Sequence, residues 1–141
     1  RSHAERQGLE IDYRVGGVEV LAGPYDLITS LEVIEHVADT AKFVHGLAGA
    51  LADDGLLILS TPNRTSMSRL LMIVLGEGLG RIPKGSHDWE KFLTPEETCA
   101  LLADAGLDVI DVTGLGYSPT RGFALSEDKM LDYFVTAKRL R

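Results

Sequence analysis

Apolar and polar residues follow two different periods along this chain. Residues 9–15 alternate one by one, which predicts a half-buried strand, whereas the apolar runs at 25–31 and 56–61 predict strands buried on both faces. Residues 107–117 and 133–140 also have the composition of strands. The pattern therefore predicts five strands, in the order strand, strand, helix, strand, insertion, helix, strand, strand.

Helical spacing occupies the stretches between these strands. Residues 2–8 predict the end of a helix closed by Gly8, and residues 39–52 predict a second helix. The residues TPEE at 94–97 form a capping box that starts a third helix, which ends at Gly106. Such alternation predicts an α/β fold with a mostly parallel sheet, in which the last two strands form an antiparallel edge hairpin.

Composition narrows the class of protein. The chain has 141 residues, enough for one domain with a core, and a formal net charge of −7, which argues against a nucleic-acid partner. Its single cysteine, Cys99, excludes an internal disulfide and is predicted to be an unreactive thiol in a helix. The aliphatic run at 70–75 is too short to cross a bilayer.

Candidate chemistry lies where two predicted strands end. Glu32, Glu35 and His36 follow the strand at 25–31, and residues 61–63 follow the strand at 56–61. Ligands of open α/β sheets bind at the carboxyl ends of the strands, so these positions predict a site. The alternative is that the acidic residues only complement the start of a helix.

Four segments in this order resemble the ubiquinone-biosynthesis O-methyltransferases, a branch of the class I S-adenosylmethionine-dependent methyltransferases: YDLITSLEVIEHV, GLLILSTPNRT, PKGSHDWEKF and LTPEE…LLADAGL. The resemblance implies a Rossmann-like fold. The family's glycine-rich loop, its ribose-binding acidic residue and its first strands have no counterpart here. We therefore expect residues 1–141 to be the carboxyl-terminal part of a single methyltransferase domain.

The resemblance also implies roles for individual residues. Leu31 would contact S-adenosylmethionine through its backbone, and Val18 and Glu19 would lie beside the adenine, unless Glu19 is only a helix-start carboxylate. Glu32, Glu35 and His36 would bind a divalent metal, with magnesium as the first candidate. Carboxylates suit magnesium, and a cation chelated by two catechol oxygens favours the ionised phenol. Imidazole is a poorer magnesium ligand, so His36 is equally a candidate general base.

Residues 63–93 are too long for a simple connection and predict an insertion that acts as a lid. Within it, segment 66–83 is either a membrane-contacting surface or a buried helix. His87 and Trp89 would cover an aromatic substrate, or Trp89 would only anchor the insertion. Arg64 would meet a substrate oxygen or cap the end of the loop.

The resemblance implies methylation of a hydroxyl in polyprenylated catechol intermediates, 3-demethylubiquinol and 2-polyprenyl-6-hydroxyphenol. The partners expected with it are the membrane surface and other ubiquinone-biosynthesis proteins, in the cytoplasm or peripherally on the inner membrane (on the matrix side in a mitochondrion). Two alternatives stay open. One is a class I methyltransferase for another small molecule or lipid, and the other is a non-catalytic domain that binds lipid or a partner.

Overall fold

The computed structural model describes residues 2–70, 89–118, 120 and 122–140. Its helices are α1 (Ser2–Arg6), α2 (Thr40–Ala50), α3 (Ser66–Ser68) and α4 (Pro95–Asp104). Its strands are β1 (Tyr25–Leu31), β2 (Leu51–Pro62), β3 (Leu107–Ser118), β4 (Gly122–Ser126) and β5 (Asp132–Arg139). Within these described ranges, short 3-10 turns cover Val18–Val20, Ile34–His36 and Trp89–Lys91.

The five strands form one mixed sheet in the order β1-β2-β5-β3-β4. β1 and β2 are parallel, with Leu31 opposite Ser60. β5 runs antiparallel to both β2 and β3, and β4 runs antiparallel to β3. β1, β2 and β3 therefore point the same way, and their carboxyl ends lie at the edge of the sheet where β5 begins.

The predicted helix signals are confirmed and explain where the helices start. The Asp39 side chain caps α2 by accepting from the Lys42 N–H at 2.9 Å. Thr94 and Glu97 form the expected capping box of α4, and Gly106 follows it with a φ of 77°. Both helices pack against the sheet, and the fully buried core includes Val44, Leu57, Leu59, Leu102, Tyr133, Val135 and Ala137.

Strand β5 differs most from its prediction. The sequence predicts residues 133–140 as one half of an edge hairpin with 107–117, and their antiparallel pairing is confirmed. However, β5 lies inside the sheet between β2 and β3, and the edge partner of β3 is β4, which was not predicted. Periodicity identifies a buried strand but not its neighbours, and β4 has only five residues with exposed Phe123 and Leu125.

The amino-terminal strand predicted at 9–15 is wrong. These residues have no regular secondary structure, and their alternating apolar side chains are exposed, with Val15 at 98%. A strand needs a hydrogen-bonded neighbour, and none of the described strands pairs with this stretch. The prediction that the strand at 25–31 is buried on both faces is also wrong, because Leu27 and Leu31 of β1 are half-exposed. Among the described strands, β1 has a neighbour on one side only, which is β2.

The structure describes the insertion at 63–93 only at its two ends. The predictions for the run at 70–75, for most of segment 66–83 and for His87 concern residues outside the described ranges. Within the described residues, we find no helix long and apolar enough to cross a membrane.

Candidate active site

The carboxyl ends of β1 and β2 meet at Glu32 and Ser60. The Glu32 N–H donates to the Ser60 carbonyl at 3.1 Å, and the Ser60 hydroxyl donates to Glu32 Oε1 at 2.8 Å. Glu32 has a φ of 54°, a left-handed conformation that is uncommon for a residue with a side chain. Such strained positions concentrate at functional sites. The structure therefore brings the two predicted strand ends together and holds Glu32 in one orientation.

Asp132 joins this pair from the first residue of β5. Its carboxyl group lies close enough to that of Glu32 for the two to interact electrostatically. Burial, reinforced by the neighbouring Asp132 and Glu35 charges, raises the pKa of Glu32 to about 8. Burial also raises the pKa of Asp132. Burial and the mutual repulsion of the two carboxyl groups therefore favour the protonated form of Glu32.

Sequence reasoning missed both Ser60 and Asp132. Asp132 is 100 positions from Glu32 and lies in a strand that was expected at the sheet edge. A strand that runs antiparallel to β2 begins where β2 ends, so its first residue reaches the same site. The contact between Glu32 and Asp132 follows from the order of the strands in the sheet, which could not be predicted from the sequence pattern.

Glu35 is the most buried charged side chain of the site. It lies in the turn that follows β1, and its side chain is 1% exposed. The Thr61 hydroxyl donates to Glu35 Oε2 at 2.9 Å, whereas Glu35 Oε1 is buried without a hydrogen-bond partner. Oε1 lies 3.6 Å from Nε2 of the half-exposed His36 ring. One oxygen of the Glu35 carboxylate, Oε2, is thus held by a hydrogen bond from β2, and the other, Oε1, faces the imidazole of His36.

Glu35 and His36 line a cleft of about 620 Å³. One wall consists of residues 34–41, from the turn after β1 and the start of α2. The opposite wall consists of Glu90, Lys91 and Leu93, from the described end of the insertion. The cleft has both apolar and polar walls, as sites for small organic molecules do.

The residue types of the site fit a hard dication, because magnesium prefers carboxylate oxygens. Two buried carboxylate oxygens, Glu35 Oε1 and Asp132 Oδ1, also have no hydrogen-bond partner. The arrangement fits less well. In the part of the chain that the structure describes, no three histidine, cysteine, aspartate or glutamate side chains converge as metal ligands. The structure forms a Glu32–Asp132 pair and a separate Glu35–His36 pair instead.

The residues predicted to contact the cofactor lie on two elements. Leu31 ends β1 and is half-exposed, so the strand end is accessible to a ligand. Val18 packs against the core, directly over Gly46 of α2. Glu19 accepts from the Gly17 N–H at 2.8 Å, and backbone hydrogen bonds lower its pKa. Glu19 thus acts as a carboxylate at the start of a 3-10 turn, which is one of the two roles that the sequence analysis considered for it.

The described ends of the insertion are attached to the fold. Trp89 donates its indole N–H to the Thr65 carbonyl at 3.0 Å, and the Arg69 guanidinium lies 5.4 Å from the Trp89 ring centre. Arg64 pairs with Glu97 at the start of α4, a partner that the sequence did not suggest. Trp89 therefore has the anchoring role, as one of the two alternatives predicted.

The chain belongs to the methyltransferase-domain family, since the model of that family matches residues 2–112. It is also 44% identical over 99% of its length to a ubiquinone biosynthesis O-methyltransferase from Methylobacterium sp. (strain 4-46), covering 58% of that relative. A protein of the same name from Parvibaculum lavamentivorans is 43% identical over 99% of the chain and 57% of its own length. The chain thus spans somewhat more than half the length of these curated relatives.

Solved structures agree on the fold. A methyltransferase from Thermotoga maritima, described as S-adenosylmethionine-dependent and a possible histamine N-methyltransferase, superposes with a TM-score of 0.69 at 14% identity. The match covers 99% of this chain and 68% of that one. The expected Rossmann-like α/β class is therefore confirmed, with the mixed strand directions described above.

Proposed function

We propose that this chain is the carboxyl-terminal part of an S-adenosylmethionine-dependent O-methyltransferase of ubiquinone biosynthesis. The observation that carries the proposal is the junction of β1 and β2, where two hydroxyls hold two glutamates beside a histidine. That junction occurs in a chain 44% identical to a protein of this name. A polyprenylated catechol is the proposed substrate.

The reaction needs an ionised phenol oxygen in line with a methyl carbon. S-adenosylmethionine supplies the methyl group from its sulfonium sulfur. His36, at the cleft, takes the phenolic proton, so the oxygen is freed for attack as the carbon–sulfur bond breaks. Glu35, anchored by Thr61, offers a negative charge to the imidazolium that results.

Leu31, Val18 and Glu19 are the proposed contacts of the cofactor. Metal binding by Glu32, Glu35 and His36 stays a prediction, and in that alternative His36 is a metal ligand instead of the base. It is supported by the donor types and the unpaired buried oxygens, while the present arrangement requires the side chains to move. These residues would then hold a magnesium ion, which would favour the ionised form of the phenol.

The proposed substrate also has a consequence for where the protein acts in the cell. A polyprenyl chain is confined to membranes, so we propose peripheral contact with the inner membrane through segment 66–83. Other ubiquinone-biosynthesis proteins are the proposed neighbours there. The described ends of the insertion are attached to the fold at Trp89 and Arg64, and its carboxyl end contributes Glu90, Lys91 and Leu93 to the cleft.

Calorimetric titration of S-adenosylhomocysteine, with magnesium and with EDTA, tests the proposal. The titration is performed on the chain and on an amino-terminally extended form of the length of its relatives. We expect the extended form to bind, and to methylate a short-chain polyprenyl catechol in preference to non-catechol acceptors.

Absence of binding and turnover in the extended form would reject the proposal. Turnover of non-catechol acceptors alone would favour the alternative of another small-molecule methyltransferase. A difference between magnesium and EDTA that Glu32→Gln removes would support the metal prediction.

A further inference from the structure

The cleft beside His36 has small apolar residues on one wall. Ala38 directly precedes the N-cap of α2, and Ala41 lies in the first turn of that helix. Both alanines are exposed, and both line the cleft. The exposed side of a surface helix normally carries polar residues, as Lys42 and His45 do on α2. The two alanines therefore keep this wall of the cleft short and apolar.

Larger apolar side chains complete the apolar part of the described lining. Ile34 is fully buried, and Val37 and Leu93 are partly buried. Leu93 is fixed on the opposite wall, since its carbonyl accepts from the Tyr133 hydroxyl at 3.1 Å and its backbone forms a bridge with Asn63. The start of α2 is fixed by its N-cap. These two walls are therefore in place before a ligand binds, which lowers the cost of binding.

The charged residues of the cleft indicate which ligands it accepts. Its described lining has three acidic residues, Glu35, Asp39 and Glu90. Against them stands one lysine, Lys91. A lining in which acidic residues predominate disfavours an anion, because like charges close together cost free energy. An uncharged ligand with an apolar body and a hydroxyl group fits this cleft, whereas a carboxylated or phosphorylated one does not.

We infer that this cleft holds the apolar substituent of an uncharged acceptor, and that Ala38 and Ala41 determine how bulky this substituent can be. The inference rests on the proposed function, since it takes the cleft as the acceptor site, and it adds two specificity-determining residues. The cleft volume of about 620 Å³ exceeds what a catechol ring alone needs, so the first part of a prenyl chain also has room. A leucine in place of either alanine would occupy that room.

Calorimetric titration of the chain with three probes tests the cleft without the cofactor. The probes are a catechol with a geranyl substituent, catechol itself and a carboxylated catechol. The variants are Ala38→Leu and Ala41→Leu, and leucine is nearly as good a helix former as alanine. Ala100→Leu is the matched control, because Ala100 is an exposed alanine of α4 that does not line the cleft.

We expect Ala38→Leu and Ala41→Leu each to raise the dissociation constant of the geranyl catechol about tenfold, the effect of overfilling an apolar pocket. Ala100→Leu should change it less than about twofold, and none of the variants should alter catechol binding by more than that. The carboxylated probe should bind the unmodified chain about tenfold more weakly than the geranyl catechol. In the extended form, the two cleft variants should raise KM for the geranyl acceptor and leave KM for S-adenosylmethionine unchanged.

Equal effects of the cleft variants and Ala100→Leu would overturn the inference, as would failure of the unmodified chain to bind the geranyl catechol or tighter binding of the carboxylated probe. If one cleft variant fails to fold, the other decides the outcome. An extended form that methylates the geranyl acceptor equally well with either leucine would keep the proposed function and reject the inference. Binding that depends on the alanines, in a chain whose extended form does not bind S-adenosylhomocysteine, would do the reverse.

Discussion

At the scale of residues, the site consists of carboxyl groups in unusual surroundings. Glu32 has a left-handed backbone conformation and accepts from the Ser60 hydroxyl of β2, and the neighbouring Asp132 helps to raise its pKa. Its pKa of about 8 lies far above the ordinary value of 4.5. The folded chain therefore retains a proton that the unfolded chain releases over this pH range, so stability falls as pH rises through it.

Replacement of Glu32 by Gln should remove this dependence, since the amide does not ionise. We expect the free energy of unfolding of Glu32→Gln, relative to the unmodified chain, to rise with pH between the two pKa values. The upper bound is about 5 kcal/mol, at about 1.4 kcal/mol for each unit of the pKa difference, and solvent screening of the partly exposed carboxyl lowers it. Urea denaturation at a series of pH values measures it, with the exposed Glu10→Gln as control. Parallel pH profiles for Glu32→Gln and the unmodified chain would contradict the prediction.

The sequence predicted the candidate site in part. Glu32, Glu35 and His36 were placed by their position after a strand, and their neighbours at 61–63 by the next strand. Ser60 and Asp132 were not found, because β2 continues to Pro62 and because Asp132 comes from a strand whose neighbours were unknown. Local pattern predicts where a strand ends, whereas contacts between distant strands depend on the order of the whole sheet.

At the scale of elements, helix signals were the most reliable part of the sequence. The capping box at Thr94 and Glu97 and the cap at Asp39 start helices where they were expected. Strand signals were less reliable, because they do not show which strand is the neighbour. Residues 9–15 alternate apolar and polar side chains as a strand does, yet they form no strand. A helix satisfies its hydrogen bonds internally, and a strand depends on a partner elsewhere in the chain.

The capping box predicts a measurable contribution to stability. Thr94→Ala removes the hydroxyl that accepts from the Glu97 N–H, so we expect a loss of about 1 kcal/mol in the free energy of unfolding. Thr94→Ser should lose much less, since serine can cap in the same way. Equal losses in the two variants, measured by chemical denaturation, would assign the effect to the methyl group instead.

Strand β3 contains two glycines that should respond differently to alanine. A Cβ at Gly114 would overlap the Asp128 backbone, whereas a Cβ at Gly116 would lie 3.2 Å from the Ser126 hydroxyl, which can move. We expect Gly114→Ala to lower the free energy of unfolding by about 3 kcal/mol and Gly116→Ala by less than about 1 kcal/mol. Thermal denaturation of the pair tests this, and similar losses would show that the Asp128 backbone adapts.

At the scale of the whole molecule, the described sheet has β1 and β4 as its outer strands. Each has a described strand on one side only, and each carries exposed apolar side chains, such as Leu27 and Phe123. Edge strands of this kind pair readily with other chains. The fold class was predictable because helices and buried strands alternate, but the exposed edges follow from the order of the strands.

We therefore expect the chain to self-associate, and Leu27→Lys on β1 to weaken the association several-fold. Leu56→Lys is the control, because Leu56 is also exposed but lies on β2, which pairs at this position with β1 on one side and β5 on the other. Sedimentation velocity over a concentration series gives the association constants. An equal effect of the two substitutions would assign association to general hydrophobicity instead of the β1 edge.

The central place of β5 has a consequence for how the protein is made. On the ribosome, β2 and β3 are synthesised before β5, the strand that lies between them in the sheet. The edges of β2 and β3 that pair with β5 therefore have no partner until β5 leaves the exit tunnel. Arg139, at the end of β5, also donates to the Ala48 and Leu51 carbonyls at the end of α2. A nascent chain that stops before β5 would therefore lack a central strand of its sheet and not an edge strand. Chaperones would then bind a chain that cannot complete its fold.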